Sequence, residues 1–100
     1  MKITITTLMQ RTAVRKDCNY CPVALAVARA FNEPVRVYVS VGTIQVDFKD
    51  GTRWLWECPR QLKLWIRDYD AALPVEELTV NLGTHENLTP VYTRYTYATT

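Results

Sequence analysis

The chain has 100 residues, 48% of them hydrophobic and 22% charged, and a formal net charge of +2 at pH 7. That is material for one core but not for two separately cored domains, and the ordinary apolar content excludes wholesale disorder. The small, dispersed basic excess argues against a duplex-binding domain, which gathers many cations on one face, and against a strongly acidic mimic of DNA.

Residues 2–7 alternate polar and apolar side chains and read as a first strand with Ile3 and Ile5 on one face. The same alternation is unlike the continuous apolar stretch of a signal peptide. No run approaches the ~20 apolar residues of a spanning helix, so the expectation is a cytoplasmic protein. A polar connection containing Arg11, Arg15 and Lys16 leads to Asp17-Cys18-Asn19-Tyr20-Cys21-Pro22. Proline suits the first turn of a helix, where its missing amide would have no partner. The alanine-rich stretch 23–31 continues that helix, and Asn32 and Pro34 end it.

Val35, Val37, Val39 and Val41 share one face of the next strand, with Arg36, Tyr38 and Ser40 on the other. Gly42-Thr43 reads as a turn into a strand carrying Ile44, Val46 and Phe48. Asp50-Gly51 reads as a tight turn with positive φ at both central positions, and residues 53–57 close an antiparallel meander. Pro59 opens a second helix to about Tyr69, with Leu62, Trp65, Ile66 and Tyr69 on one apolar stripe. Leu78, Val80 and Leu82 alternate in a last strand. The order is therefore β-α-β-β-β-α-β, an α+β fold in which two helices pack on one face of a mostly antiparallel sheet. The expected domain spans residues 1–82. Residues 83–100 carry no core pattern and read as a C-terminal tail, flexible or ordered by a partner, with the Thr- and Tyr-rich segment 90–100 as a mobile tail or an edge strand.

The run Asp17-Cys18-Asn19-Tyr20-Cys21-Pro22-Val23-Ala24-Leu25-Ala26 resembles the helix opening of a family of small phage, prophage and mobile-element proteins with no assigned activity. The meander, the helix ending in Asp68-Tyr69-Asp70 and Pro74-Val75-Glu76 extend the likeness over roughly residues 15–82. The resemblance implies a context rather than a catalytic residue: small accessory proteins of this kind include antagonists of bacterial immunity. Fold alone does not decide function.

Cys18 and Cys21 have the spacing of half a zinc site or of a dithiol redox pair. Cys58 and His85 complete a four-ligand set, but His85 falls in the expected tail and no second CxxC is present. In a reducing compartment the three cysteines read first as partly buried thiols, and neither a metal nor another cofactor is expected. With three glycines, none in a phosphate-loop spacing, and one histidine without a nucleophilic partner, catalysis has little support, and the chain is expected not to be an enzyme.

Trp54 and Trp56 share one face of their strand and Leu55 takes the other. If Leu55 joins Ile44, Val46 and Phe48 in the core, both tryptophans stand on the opposite face; aromatics interleaved with Arg36, Lys49 and Arg53 suit a stacking platform with charge for a phosphate, and equally a dimer interface. If the tryptophans form the core face, there is no such platform. The functional expectation is a homo-oligomeric, non-enzymatic antagonist of anti-phage defence that sequesters a nucleotide signal through Arg36, Arg53, Trp54 and Trp56. The alternatives are a direct inhibitor bound to a host defence protein, such as an anti-CRISPR, and a structural or DNA-contacting phage component. No membrane partner is expected.

Overall fold

The computed structural model describes residues 1–40 and 42–88, and its architecture is α+β. The chain runs β1 (Lys2–Ile5), α1 (Thr7–Thr12), α2 (Pro22–Arg29), β2 (Arg36–Ser40), β3 (Thr43–Asp47), β4 (Arg53–Glu57), α3 (Arg60–Asp70), β5 (Leu78–Asn81) and β6 (Glu86–Leu88). The strands form two antiparallel sheets instead of the expected single one: β1 pairs with β5, and β2-β3-β4-β6 make a four-stranded sheet. No described helix is long and apolar enough to cross a membrane.

Two elements go beyond the expected order. Helix α1 replaces part of the polar connection after β1. Thr6 caps it, its hydroxyl accepting the Met9 amide proton at 3.2 Å, and Met9 is its buried anchor. Regular structure also runs past Leu82, because Glu86–Leu88 pairs with β4, setting Asn87 opposite Trp54 and Glu86 opposite Leu55. The expectation for the Tyr-rich segment 90–100 lies outside the described residues.

The meander forms as the alternation requires. Val37 pairs with Val46 and Val39 with Ile44, and all four are buried on the inner face; Val35 is partly buried, and Val41 lies outside the described residues. Helix α2 begins with Pro22 at its first position and lies against β2 and β1. Its small side chains Ala24 and Ala26 are buried together with Val23 and Val27. The apolar stripe of α3 supplies Leu62, Trp65 and Tyr69 to the same core. Two polar tips fix that helix: Trp65 Nε1–H donates to the Glu76 carbonyl at 2.8 Å, and the Tyr69 hydroxyl donates to the Gln10 carbonyl at 2.8 Å. Ile3 and Ile5 of β1, at 2% and 0% exposure, complete the core with Val80 of β5.

Candidate functional site

The expected platform of two tryptophans and two arginines does not assemble. Ile44 pairs with Trp56 and Val46 with Trp54, so both indoles lie on the core face of the sheet. Trp56 is 1% exposed. Trp54 is half-buried, set edge-on to Phe48 at 4.8 Å and Phe31 at 5.8 Å, with His85 stacked on it at 3.9 Å. Arg36 and Arg53 stand on the opposite face, in a row with Asp47 that the register defines. Arg53 is engaged there, its Nε and Nη2 donating to the two Asp47 carboxylate oxygens at 2.8 and 3.1 Å.

Arg53 adjoins Trp54 on one strand, so alternation alone turns it away from both indoles in any register; the facing of the tryptophans themselves is set by the β3–β4 connection. A two-residue turn at Asp50-Gly51 would pair residue 49 with 52, and hence Val46 with Leu55. The loop instead holds three residues: the Phe48 amide donates to Thr52 O at 2.9 Å, the Gly51 amide donates to Phe48 O at 3.0 Å, and positive φ occurs at Gly51 (89°) but not at Asp50. A three-residue hairpin of this kind places its glycine in the left-handed region. It moves the register by one residue and exchanges the faces.

The four-ligand set does not assemble either. His85 is taken up against Trp54, and among the described residues no three His, Cys, Asp or Glu side chains lie close enough to hold a metal ion. The three cysteines nevertheless converge. Cys18, Cys21 and Cys58 line one open pocket of about 480 Å³ at the edge of the four-stranded sheet, between the turn before α2, the end of β2 and helix α3. Val39 and Ile66 contribute apolar wall, and Lys16, Lys63 and Arg67 contribute cations.

Local chemistry explains each position. Asp17 folds the turn by accepting the Asn19 and Tyr20 amide protons at 2.8 and 3.0 Å, an Asx-type arrangement. The Cys18 carbonyl accepts from the Val39 amide at 2.8 Å, and Asn19 Nδ2 donates to the Val37 carbonyl at 3.0 Å, which ties the turn to β2. Cys21 is the N-cap of α2, its sulfur accepting the Ala24 amide proton at 3.4 Å. On the far wall the Cys58 amide donates to the Gly42 carbonyl at 2.8 Å. Lys16, at a positive φ of 61°, donates its backbone amide to Asp70 at 3.1 Å. Arg15 donates Nε to the Tyr69 carbonyl at 3.0 Å and lies 4.8 Å over the Tyr69 ring. The two acidic groups of the pocket, Asp17 and Asp70, thus accept backbone amides, whereas Lys16 and Lys63 make no ion pair among the described residues.

Burial pushes the Cys21 thiol up from its ordinary value, against the pull of the Ala24 and Val23 amides, with the charges of Asp70 and Cys18 raising it further. Burial likewise raises Cys58, while Lys63 lowers it and Cys21 raises it. The sequence offered partial signals for this pocket, since Lys63 and Arg67 are spaced one helical turn apart, but the approach of Gly42 and Cys58 depends on the meander's register.

No family model, no curated protein and no solved structure matches the chain.

Proposed function

We propose that this protein is a non-enzymatic capture protein for a small anionic ligand of the nucleotide class, held in the cysteine-lined pocket. The observation that carries this reading is the pocket's composition. A cavity of about 480 Å³ suits a small organic ligand, with apolar wall for a base and two lysines and an arginine for a phosphate. In the setting implied by the resemblance to phage and mobile-element proteins, such capture withdraws a nucleotide immune signal of the host without consuming it. The host cytoplasm is the matching location.

Calorimetric titration with a panel of mononucleotides, cyclic nucleotides and ADP-ribose derivatives tests the reading. Binding should be saturable for at least one member. Lys63→Ala combined with Arg67→Ala should weaken it at least tenfold, while Trp54→Ala should leave it within twofold. Silence across the panel, or a loss that follows Trp54 instead of Lys63 and Arg67, rejects this site.

Direct inhibition of a defence protein is the second reading. It is favoured by exposed Leu73, 53% accessible, which lines a separate hollow with Arg11. A stable complex with a host protein on pull-down, coupled with no nucleotide binding, selects it.

A further inference from the structure

The three thiols of the pocket differ in access. Cys18 is exposed at the rim, whereas Cys21 and Cys58 are buried. Cys18 and Cys21 lie three residues apart within one turn, closed by the Cys21 amide donating to the Asp17 carbonyl at 3.2 Å. That spacing fits the Cα separation a disulfide spans. The turn is held from both ends, by Cys18 O on β2 and by Cys21 as the cap of α2. Cys58 belongs to the opposite wall and reaches the pocket from the end of β4.

From this arrangement we infer that Cys18 and Cys21 are a reactive dithiol that anionic low-molecular-weight disulfides oxidise, with Cys18 as the point of attack and Cys21 as the resolving thiol. Access assigns the order, because a reagent in solvent meets the Cys18 sulfur and not the two buried ones. Charge points to the reagent class: Lys16 and Lys63 make no ion pair among the described residues, Arg67 is shared with Asp68 at 3.3 Å, and Asp17 and Asp70 direct carboxylate oxygens at backbone amides. A carboxylate-bearing disulfide is drawn to such a rim.

The chemistry balances in two exchanges. The Cys18 thiol loses its proton to solvent, and its sulfur attacks one sulfur of the reagent, RSSR. The reagent's S–S bond breaks, and one thiol, RSH, leaves after taking up a proton. Cys21 then gives up its proton and attacks the Cys18 sulfur, so the mixed disulfide breaks, the second RSH departs and the Cys18–Cys21 bond remains. Two electrons pass from the protein dithiol to the reagent. Burial keeps Cys21 protonated, which slows the second exchange, while its fixed place in the same turn gives it a high effective concentration.

The inference is independent of any nucleotide in the pocket. Reduced full-length protein incubated with glutathione disulfide and followed by intact mass, thiol counting and peptide mapping provides the test. Wild type should lose two hydrogens and two thiols, with the bond mapped to Cys18–Cys21 and Cys58 left free. Cys21→Ser, which keeps a capping acceptor for α2, should stop at a single glutathione adduct on Cys18. Cys18→Ser should oxidise at least tenfold more slowly than wild type. A wild-type product bonded through Cys58, three thiols surviving in wild type, or Cys18→Ser reacting as fast as wild type would overturn it. Mapping of the wild-type product decides the matter even if a variant fails to fold.

Discussion

On the inner face of the four-stranded sheet Val37, Val39, Ile44, Val46 and Trp56 are buried, whereas the outer face carries exposed Arg36 and Ser40 and the half-exposed pair Asp47 and Arg53. The two sets alternate along the same strands, so neighbours in sequence live under different physical constraints. Each inner residue gives up water for apolar contact, at roughly 1.5–3 kcal/mol for a fully buried large side chain. The outer ion pair keeps side-chain exposures of 29% and 23% and contributes at most about 1 kcal/mol after screening and lost side-chain entropy. Stability is therefore concentrated on one face, and the pocket proposed for binding opens at the margin of that packing, sharing Val39, Cys21 and Cys58 with it.

The sharpest way to break this contrast is to place the same charge on each face. Val37→Asp buries a carboxylate without a partner and should remove most or all of the ~5–15 kcal/mol that holds a small domain together. Ser40→Asp, on the outer face of the same strand, should cost about 1 kcal/mol or less. Urea unfolding of the two variants reads the difference, and a wild-type midpoint for Val37→Asp would show that the face is misassigned. Trp56→Ala should cost about 3–5 kcal/mol, although the buried Trp56 indole N–H has no hydrogen-bond acceptor among the described residues. Trp56→Phe removes that orphan donor and should cost clearly less than the alanine variant in the same assay.

The smallest expected effect is on pH. Cys21 and Cys58 hold their protons more tightly folded than unfolded, so the folded state binds more protons once the pH passes the ordinary thiol value of 9.0. Their contribution is fully present below that value and is lost as the pH rises through the higher folded values. Asp50, in the exposed hairpin, has the opposite sign: its carboxyl is held down by the Thr52 amide, and its small contribution is lost as the pH falls below 3.8. Unfolding midpoints measured from pH 7 to 11 should fall more shallowly in a Cys58→Ser variant than in wild type.

Much of the fold was legible because its signals are local. Ile3 and Ile5, the alternating valines of β2 and the stripe on α3 each state which side meets the core. Pro22 marks the start of α2 and is found at its first position. The facing of the tryptophans escaped, and it was set by a single residue of register. Asp-Gly is equally at home as the centre of a two-residue turn and at the end of a three-residue loop, and the choice decides whether Val46 faces Leu55 or Trp54. The bulk of Trp54 and Trp56 already favoured the core face, since large rings recover more apolar area there than one leucine does. Helix α1 is short, and its Thr6 cap resembles the threonines around it. Strand β6 spans three residues, too few for an alternation to register. The thiol pocket draws on four separate stretches of chain, so only the Cys18–Cys21 spacing and the one-turn spacing of Lys63 and Arg67 were visible before the fold was known.

The pairing of Lys2 with Asn81 and of Ile5 with Leu78 ties the first strand to one about 75 residues later. During synthesis from the amino end, β1 emerges before β5 and must wait for it before its backbone groups find partners. Until then Ile3 and Ile5 have no sheet to belong to. The meander closes from neighbouring residues and is free to form earlier, offering its valine face as the surface on which α2 and β1 later settle. Vectorial production thus makes β1 wait longer than the meander to be fixed, and a ribosome stalled before residue 78 would display an unpaired, isoleucine-bearing strand to chaperones.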